Sequence, residues 1–271
     1  MFCLQLNSVH VIMEVESERR HVIQGVYGIV VCFAYFSLNA VEREHYLLFQ
    51  NALARHESII PFRGLSVDEI NLILKALLTD MPELFWFEGK WELLQSNGNF
   101  VIAPLYSFDI QTSKTITESI YEVCLNVDCL LNNHMTSFER LRTVFDWMLA
   151  NVQYDVSRGD GQTIYDSLVC GKAVCKGLSK GFQLLSERMG IFCTLREGDL
   201  YTEYRHVWNV VRLNGKYYNI DVSMGYDRFA FIFDKRARTD PYRCFFVSDR
   251  QMERSHRIHQ TPWSRWITTV C

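Results

Sequence analysis

The sequence predicts an α+β fold in which a helix beginning at a cysteine packs on an antiparallel sheet, preceded by an α/β accessory region. Three observations predict it. Leu178, Phe182, Leu185 and Met189 recur at intervals of four, three and four directly after Cys175, and Gly190 ends the pattern. The β-rich runs on either side of Asn214-Gly215, the strongest short hairpin signal, read as paired strands. Ser66 with Glu69 and Thr136 with Glu139 are capping boxes that open two further helices.

A chain of 271 residues, 48% hydrophobic and 22% charged, carries enough apolar side chains for one large or two smaller cores. Ile29 to Ser37 is rich in β-branched and aromatic residues and reads as a strand. It feeds a helix over Asn39 to Ala54, marked by Tyr46, Leu47, Phe49 and Leu53. The Ser66 box opens a helix with Ile70, Ile73, Leu74, Leu77 and Leu78 on one face, closed by Pro82. From Leu84 to Phe108, turn signals at Glu88-Gly89 and Asn97-Gly98 predict two or three short antiparallel strands. The Thr136 box opens a helix whose apolar face is Phe138, Leu141, Val144, Phe145, Met148 and Leu149. Just before it the chain is expected to divide into an accessory region, 1–134, and a catalytic domain, 135–271. Asp155 to Gly161 is polar and reads as an exposed loop.

A net charge of -3 and a pI near 6.2 create no strong field, so neither nucleic acid nor a membrane surface is an expected partner. The apolar stretch Val26 to Leu38 is too short to span a bilayer and lacks a cleavage pattern, so a cytoplasmic protein is expected. The nine cysteines lack the regular spacing of a disulfide framework and are read as reduced thiols. Neither a phosphate loop nor a dinucleotide fingerprint is present, and a zinc set of Cys170, Cys175, Cys193 and His206 fails on spacing. No cofactor or metal is expected. His256 and His259 lie in a polar, basic segment and read as solvated surface.

The chemistry concentrates elsewhere. Gly171 and Gly177 bracket Cys175, which the periodicity places at a helix start, where unpaired N–H groups and the positive end of the dipole favour a thiolate. The bland alternative is a buried core cysteine, which remains the reading for Cys170, Cys193 and Cys244. With Asn214-Gly215 as a two-residue turn, Leu213 faces Lys216, and counting back sets Trp208 opposite Asp221. His206 and Asp221 then share one face as diagonal neighbours, about 7 Å apart at Cα. A carboxylate so placed fixes the imidazole tautomer and leaves the other ring nitrogen for the thiol proton. The alternative is a satisfied strand histidine and a strand-end aspartate.

These residues resemble the transglutaminase-like superfamily, with its papain-like Cys-His-Asp triad. The resemblance is carried by Gly171-Lys172-Ala173-Val174-Cys175-Lys176-Gly177, by His206-Val207-Trp208-Asn209, and by Gly215-Lys216-Tyr217-Tyr218-Asn219-Ile220-Asp221. It runs from about Thr136 to Ile258, and Tyr154-Asp155 and Phe245-Phe246-Val247-Ser248-Asp249 are similar to bacterial members. Val222 to Asp227 departs from the family's usual continuation after the aspartate. The resemblance implies Cys175, His206 and Asp221 as a triad acting on amides of a protein or peptide substrate through a thioester, with protease-like hydrolysis favoured slightly over crosslinking. Gln162 and Trp208 are candidates for the oxyanion site or substrate groove. The alternative is a catalytically silent peptide- or carbohydrate-binding module.

Overall fold

The computed structural model describes residues 13–14, 21–25, 28–96, 98–156, 162–200, 204–226 and 240–267, the first of these up to Val31 by backbone alone. Of the expected exposed loop, residues 157–161 lie outside the described residues.

A small antiparallel sheet comprises β1 (Met13–Glu14), β2 (His21–Gly25) and β3 (Gly28–Val31). The strand expected to run to Ser37 stops at Val31, and Ala34–Ser37 forms a 3-10 turn. The cause is the buried Asp80 carboxylate, which accepts the Ala34 N–H at 2.8 Å and the Tyr35 N–H at 3.0 Å. Helix α1 (Ala40–Ala54) follows behind an Asn39–Glu42 capping box. Helix α2 (Val67–Asp80) opens on the Ser66–Glu69 box, with Ile70, Ile73, Leu74 and Leu77 buried. A second sheet orders β4 (Ile60–Pro61), β6 (Asn99–Tyr106) and β5 (Phe87–Ser96). Glu88-Gly89 does not turn the chain: Gly89, at φ +88°, sits in an irregularity of β5. Gly98 makes the hairpin turn at φ +78°.

Helix α3 (Ile110–Asp128) was not expected. Its Asp109 cap has Thr112 at the third position instead of an acid, and serines and threonines interrupt an apolar face of Ile116, Ile120, Cys124 and Val127. Helix α4 (Ser137–Asn151) begins at the Thr136–Glu139 box. Two short parallel strands, β7 (Gln153–Tyr154) and β8 (Lys172–Ala173), lead into α5 (Cys175–Arg188).

The main sheet is antiparallel, ordered β12 (Phe245–Val247), β11 (Lys216–Ile220), β10 (Tyr204–Leu213), β9 (Cys193–Leu200) and β13 (His256–Ile258), with a short α6 (Asp249–Met252) before its last strand. The β10–β11 register has Leu213 opposite Lys216 and runs back to Asn209 opposite Ile220. Asn214 and Gly215 turn at φ +51° and +77°, the left-handed pair a two-residue hairpin requires.

The division at residue 134 has no counterpart in the core. One continuous apolar cluster runs from Cys32, Tyr46 and Ile73 through Phe145 and Phe182 to Val210 and Trp263. Buried apolar residues of α2 and α5 both belong to this cluster. Gln183 of α5 ties the two, donating to the Thr79 carbonyl at 3.0 Å.

Gly198 of β9 is needed for close approach: a Cβ there would lie 2.2 Å from the Arg257 carbonyl oxygen and 2.7 Å from the Trp208 ring. Gly198→Ala is therefore expected to cost about 1–3 kcal/mol through overpacking. Urea unfolding with an unchanged m-value would register this, whereas an unchanged midpoint would show that β13 and Trp208 yield freely.

Candidate active site

Helix α5 begins at Cys175 because Val174 is extended and Leu178 N–H is the first donor to reach back to its carbonyl. No side chain caps this end, so the first-turn N–H groups face the thiol region. Two hydrogen bonds fix the helix on β10: Ser179 Oγ donates to the Val207 carbonyl at 3.0 Å, and Asn209 Nδ2 donates to the Ser179 carbonyl at 2.9 Å. Asn209 thus aligns the cysteine-bearing helix with the histidine-bearing strand. The Cys175 backbone N–H meets the hydroxyl of Tyr154, a phenol that burial keeps protonated.

His206 and Asp221 side chains are wholly buried, and His206 Nε2 lies 2.7 Å from Asp221 Oδ2. With Nε2 on Asp221, Nδ1 is the nitrogen left for the Cys175 thiol, which lies within hydrogen-bonding reach of the imidazole. Asp221 Oδ1 accepts the Ser223 N–H at 2.9 Å from the turn Ser223–Gly225. The backbone turn directly after Asp221 thus forms part of the carboxylate's support.

His256, expected on the surface, is fully buried. Its Nε2 lies 3.0 Å from the same Asp221 Oδ2, and its Nδ1 lies 2.8 Å from Ser255 Oγ. The physical reason is β13: three residues pair with β9, and alternation turns His256 inward beside Leu200 while Arg257 faces out. A three-residue strand is too short for its period to register in a basic stretch. His259 is half-buried, with Nε2 2.6 Å from Asp199 Oδ2.

Trp208, a candidate for the groove, lies instead under the site with no exposed surface. Its ring is 6.2 Å from that of His206 in a stacked arrangement and 4.9 Å from that of His256, edge to face. Nε1 donates to Asn219 Oδ1 at 2.9 Å, and Asn219 Nδ2 donates to Asp249 Oδ1 at 2.7 Å. Arg196 completes this network with Nη1 2.5 Å from Asp249 Oδ1. Gln162, by contrast, lines the same cleft as Cys175 and His206.

That cleft, about 500 Å³, has α2 as one wall, with Asn71, Leu74 and Lys75, and β9 and β10 as another. Lys75 Nζ reaches across to Glu197 Oε2 at 2.7 Å. The accessory region thus shapes the site.

Among the described residues, His206, Asp221 and His256 bring potential metal-ligating atoms within 4.8 Å of one another. His206 Nε2 and His256 Nε2 both lie within hydrogen-bonding distance of the one carboxylate oxygen, Asp221 Oδ2. Cys193, of the rejected zinc set, pairs with Val211, far along β10 from His206. The seven described cysteines are free thiols, and burial pushes Cys124 and Cys244 up to about 12. Among the described residues, no helix is long and apolar enough to cross a membrane.

Burial alone would lower His206, but the Asp221 carboxylate, aided by Cys175, outweighs it and holds the imidazole above its ordinary range. Burial would raise Asp221, and His206 first, then His256, hold it well below the usual carboxylate range. Burial lowers His256, and the charge on His206 adds to that, so His256 stays neutral. The pair's stabilisation is complete between the unfolded values of about 4 and about 6.5. It fades as pH falls through the depressed Asp221 value or rises through the elevated His206 value. In a site-resolved NMR titration, His206 is expected to stay imidazolium through neutral pH while His256 titrates below about 6.5. Both rings titrating together near that value would contradict the pairing.

Residues 127–222 match the family model described as the Transglutaminase-like superfamily. No curated protein matches the chain. Similar solved structures include one described as a TGase, 13% identical, covering 61% of this chain and 50% of that one, TM-score 0.37. A candidate cysteine protease from Cytophaga hutchinsonii is 12% identical, covering 49% and 61%, TM-score 0.35. A candidate protease from Parabacteroides distasonis is 11% identical, covering 50% and 36%, TM-score 0.32. The chain thus spans half the length of the first of these structures.

Proposed function

With residues 127–222 matching the Transglutaminase-like superfamily model, we propose that the protein is a cysteine-dependent acyl-transfer enzyme acting on amide bonds of a peptide or protein. The observation that carries this reading is the dry 2.7 Å bond between His206 and Asp221, on an imidazole that also reaches Cys175 at an uncapped helix start. A buried carboxylate and imidazole so coupled maintain the imidazolium that a thiolate partner needs.

Cys175 Sγ attacks the amide carbonyl carbon, forming a C–S bond and a tetrahedral oxyanion. Gln162, on the cleft wall, supplies a side-chain donor to that oxyanion. His206 gives its proton to the departing nitrogen as the C–N bond breaks, leaving a thioester and a free amine. Water then attacks the thioester, His206 takes its proton, and the C–S bond breaks to release the acid and restore the thiolate. Hydrolysis is favoured over transfer to an amine because the cleft is edged by Lys75, Glu197 and Arg205, polar groups that leave water access to the acyl-enzyme.

Site-resolved mass spectrometry after alkylation of the folded protein tests this. Cys175 is expected to react fastest near neutral pH and to slow roughly tenfold or more in His206→Ala, which removes the imidazolium beside the sulfur. Gln162→Ala is expected to keep that reactivity while lowering peptide turnover on the order of 10²-fold. An inert Cys175 in the wild-type protein would favour the silent binding module.

A further inference from the structure

Asp221 bears one buried negative charge and has two histidines on one oxygen. His206 Nε2 lies 2.7 Å and His256 Nε2 3.0 Å from Oδ2, while Ser223 N–H occupies Oδ1 at 2.9 Å. All three side chains of the Asp221, His206 and His256 group have no exposed surface. A carboxylate without solvent is held ionised only by what the protein places around it. While His206 is an imidazolium, Coulomb attraction suffices. Once His206 passes its proton to the leaving nitrogen, that attraction vanishes, and the charge rests on N–H donors alone.

His256 is arranged as such a donor. With Nε2–H on Asp221, its Nδ1 must accept, and Ser255 Oγ lies 2.8 Å from it, with the Met252 carbonyl at 3.4 Å the competing acceptor for that hydroxyl proton. The shorter of the two Ser255 contacts is the one that goes with N–H pointed at the carboxylate. The His206 and His256 rings are 5.4 Å apart, so the two cannot both be charged cheaply, which assigns the mobile proton to the ring that faces Cys175. The Trp208 edge packs on His256 and Trp208 stacks on His206, fixing both rings.

We propose that His256 is a positioning residue for the reaction, whose Nε2–H clamps Asp221 and keeps its carboxylate charged when His206 is neutral. This rests on the Cys175–His206 reading above. Among the described residues, the ionisable groups bearing on Asp221 include His206 from β10, His256 from β13, Tyr154 from β7 and Cys244 ahead of β12. Tyr154 and Cys244 are neutral, since burial raises both, so neither substitutes for the lost proton.

The test compares wild type with His256→Leu, His256→Gln and Ser255→Ala, following the Asp221 carboxyl carbon by NMR from about pH 1 to about pH 7, low enough to cover its depressed titration, and the Cys175 iodoacetamide rate from about pH 2 to about pH 9. Losing a hydrogen bond to a charged group raises a carboxyl, so His256→Leu is expected to move the Asp221 titration and the acid limb of alkylation up by about one to two pH units. Gln keeps an Nε2–H donor and is expected to restore much of the wild-type profile, while Ser255→Ala moves it in the Leu direction by less. Superimposable profiles for wild type and Leu, or a Gln profile that matches Leu, would overturn the clamp. If wild-type Cys175 is inert, the acyl-transfer reading fails, and the Asp221 titration, which needs no reactive thiol, still decides whether His256 holds the carboxylate. Should the Leu variant not fold, an unshifted Asp221 in Ser255→Ala overturns the proposal by itself.

Discussion

A carboxylate with no exposed surface is the constraint around which the site is built. An unpaired charge in that position costs several kcal/mol, so Asp221 exists as an anion only because three donors converge on it. Each donor comes from a different piece of the sheet: His206 from a central strand, Ser223 from the turn after β11, and His256 from the edge strand β13. The sheet order therefore serves the site as well as the core. Without β13 docked on β9, the carboxylate would lack its second imidazole, and without the departure of the chain after Ile220, Oδ1 would lack a partner.

The second dependency is the alignment of α5 with β10. A thiol at a helix start and an imidazole on a strand keep their spacing only if helix and strand cannot slide. Ser179 and Asn209 exchange hydrogen bonds with each other's backbone or strand neighbours and prevent sliding. Below them, Trp208 ties the strand to Asn219, Arg196 and Asp249, a buried network whose polar groups bond one another. The His-x-Trp-Asn motif thus divides its labour: the histidine faces the thiol, the tryptophan backs both imidazoles, and the asparagine holds the helix.

The N-terminal half acquires its importance from packing. Helix α2 shares the core with α5 and presents Asn71 and Lys75 to the cleft, and the Lys75–Glu197 pair crosses it. An exposed ion pair of this kind contributes little stability. The cleft lies between α2 of the N-terminal half and β9 and β10 of the other half.

Local signals in the sequence determined the helix start at Cys175, the Asn214-Gly215 hairpin, and through its register the shared face of His206 and Asp221. Those features are legible because capping, helical period and turn chemistry are written within a few consecutive residues. Helix α3, the early end of the first strand and the buried state of His256 were not legible. Asp80 reaches Ala34 across 46 positions, and His256 reaches Asp221 across 35. Contacts of that separation leave no periodic trace in the chain, since a three-residue edge strand has the composition of a surface loop until β9 docks beside it. Tertiary structure alone decided which polar residues were buried, because burial depends on what packs against a segment and not on the segment itself.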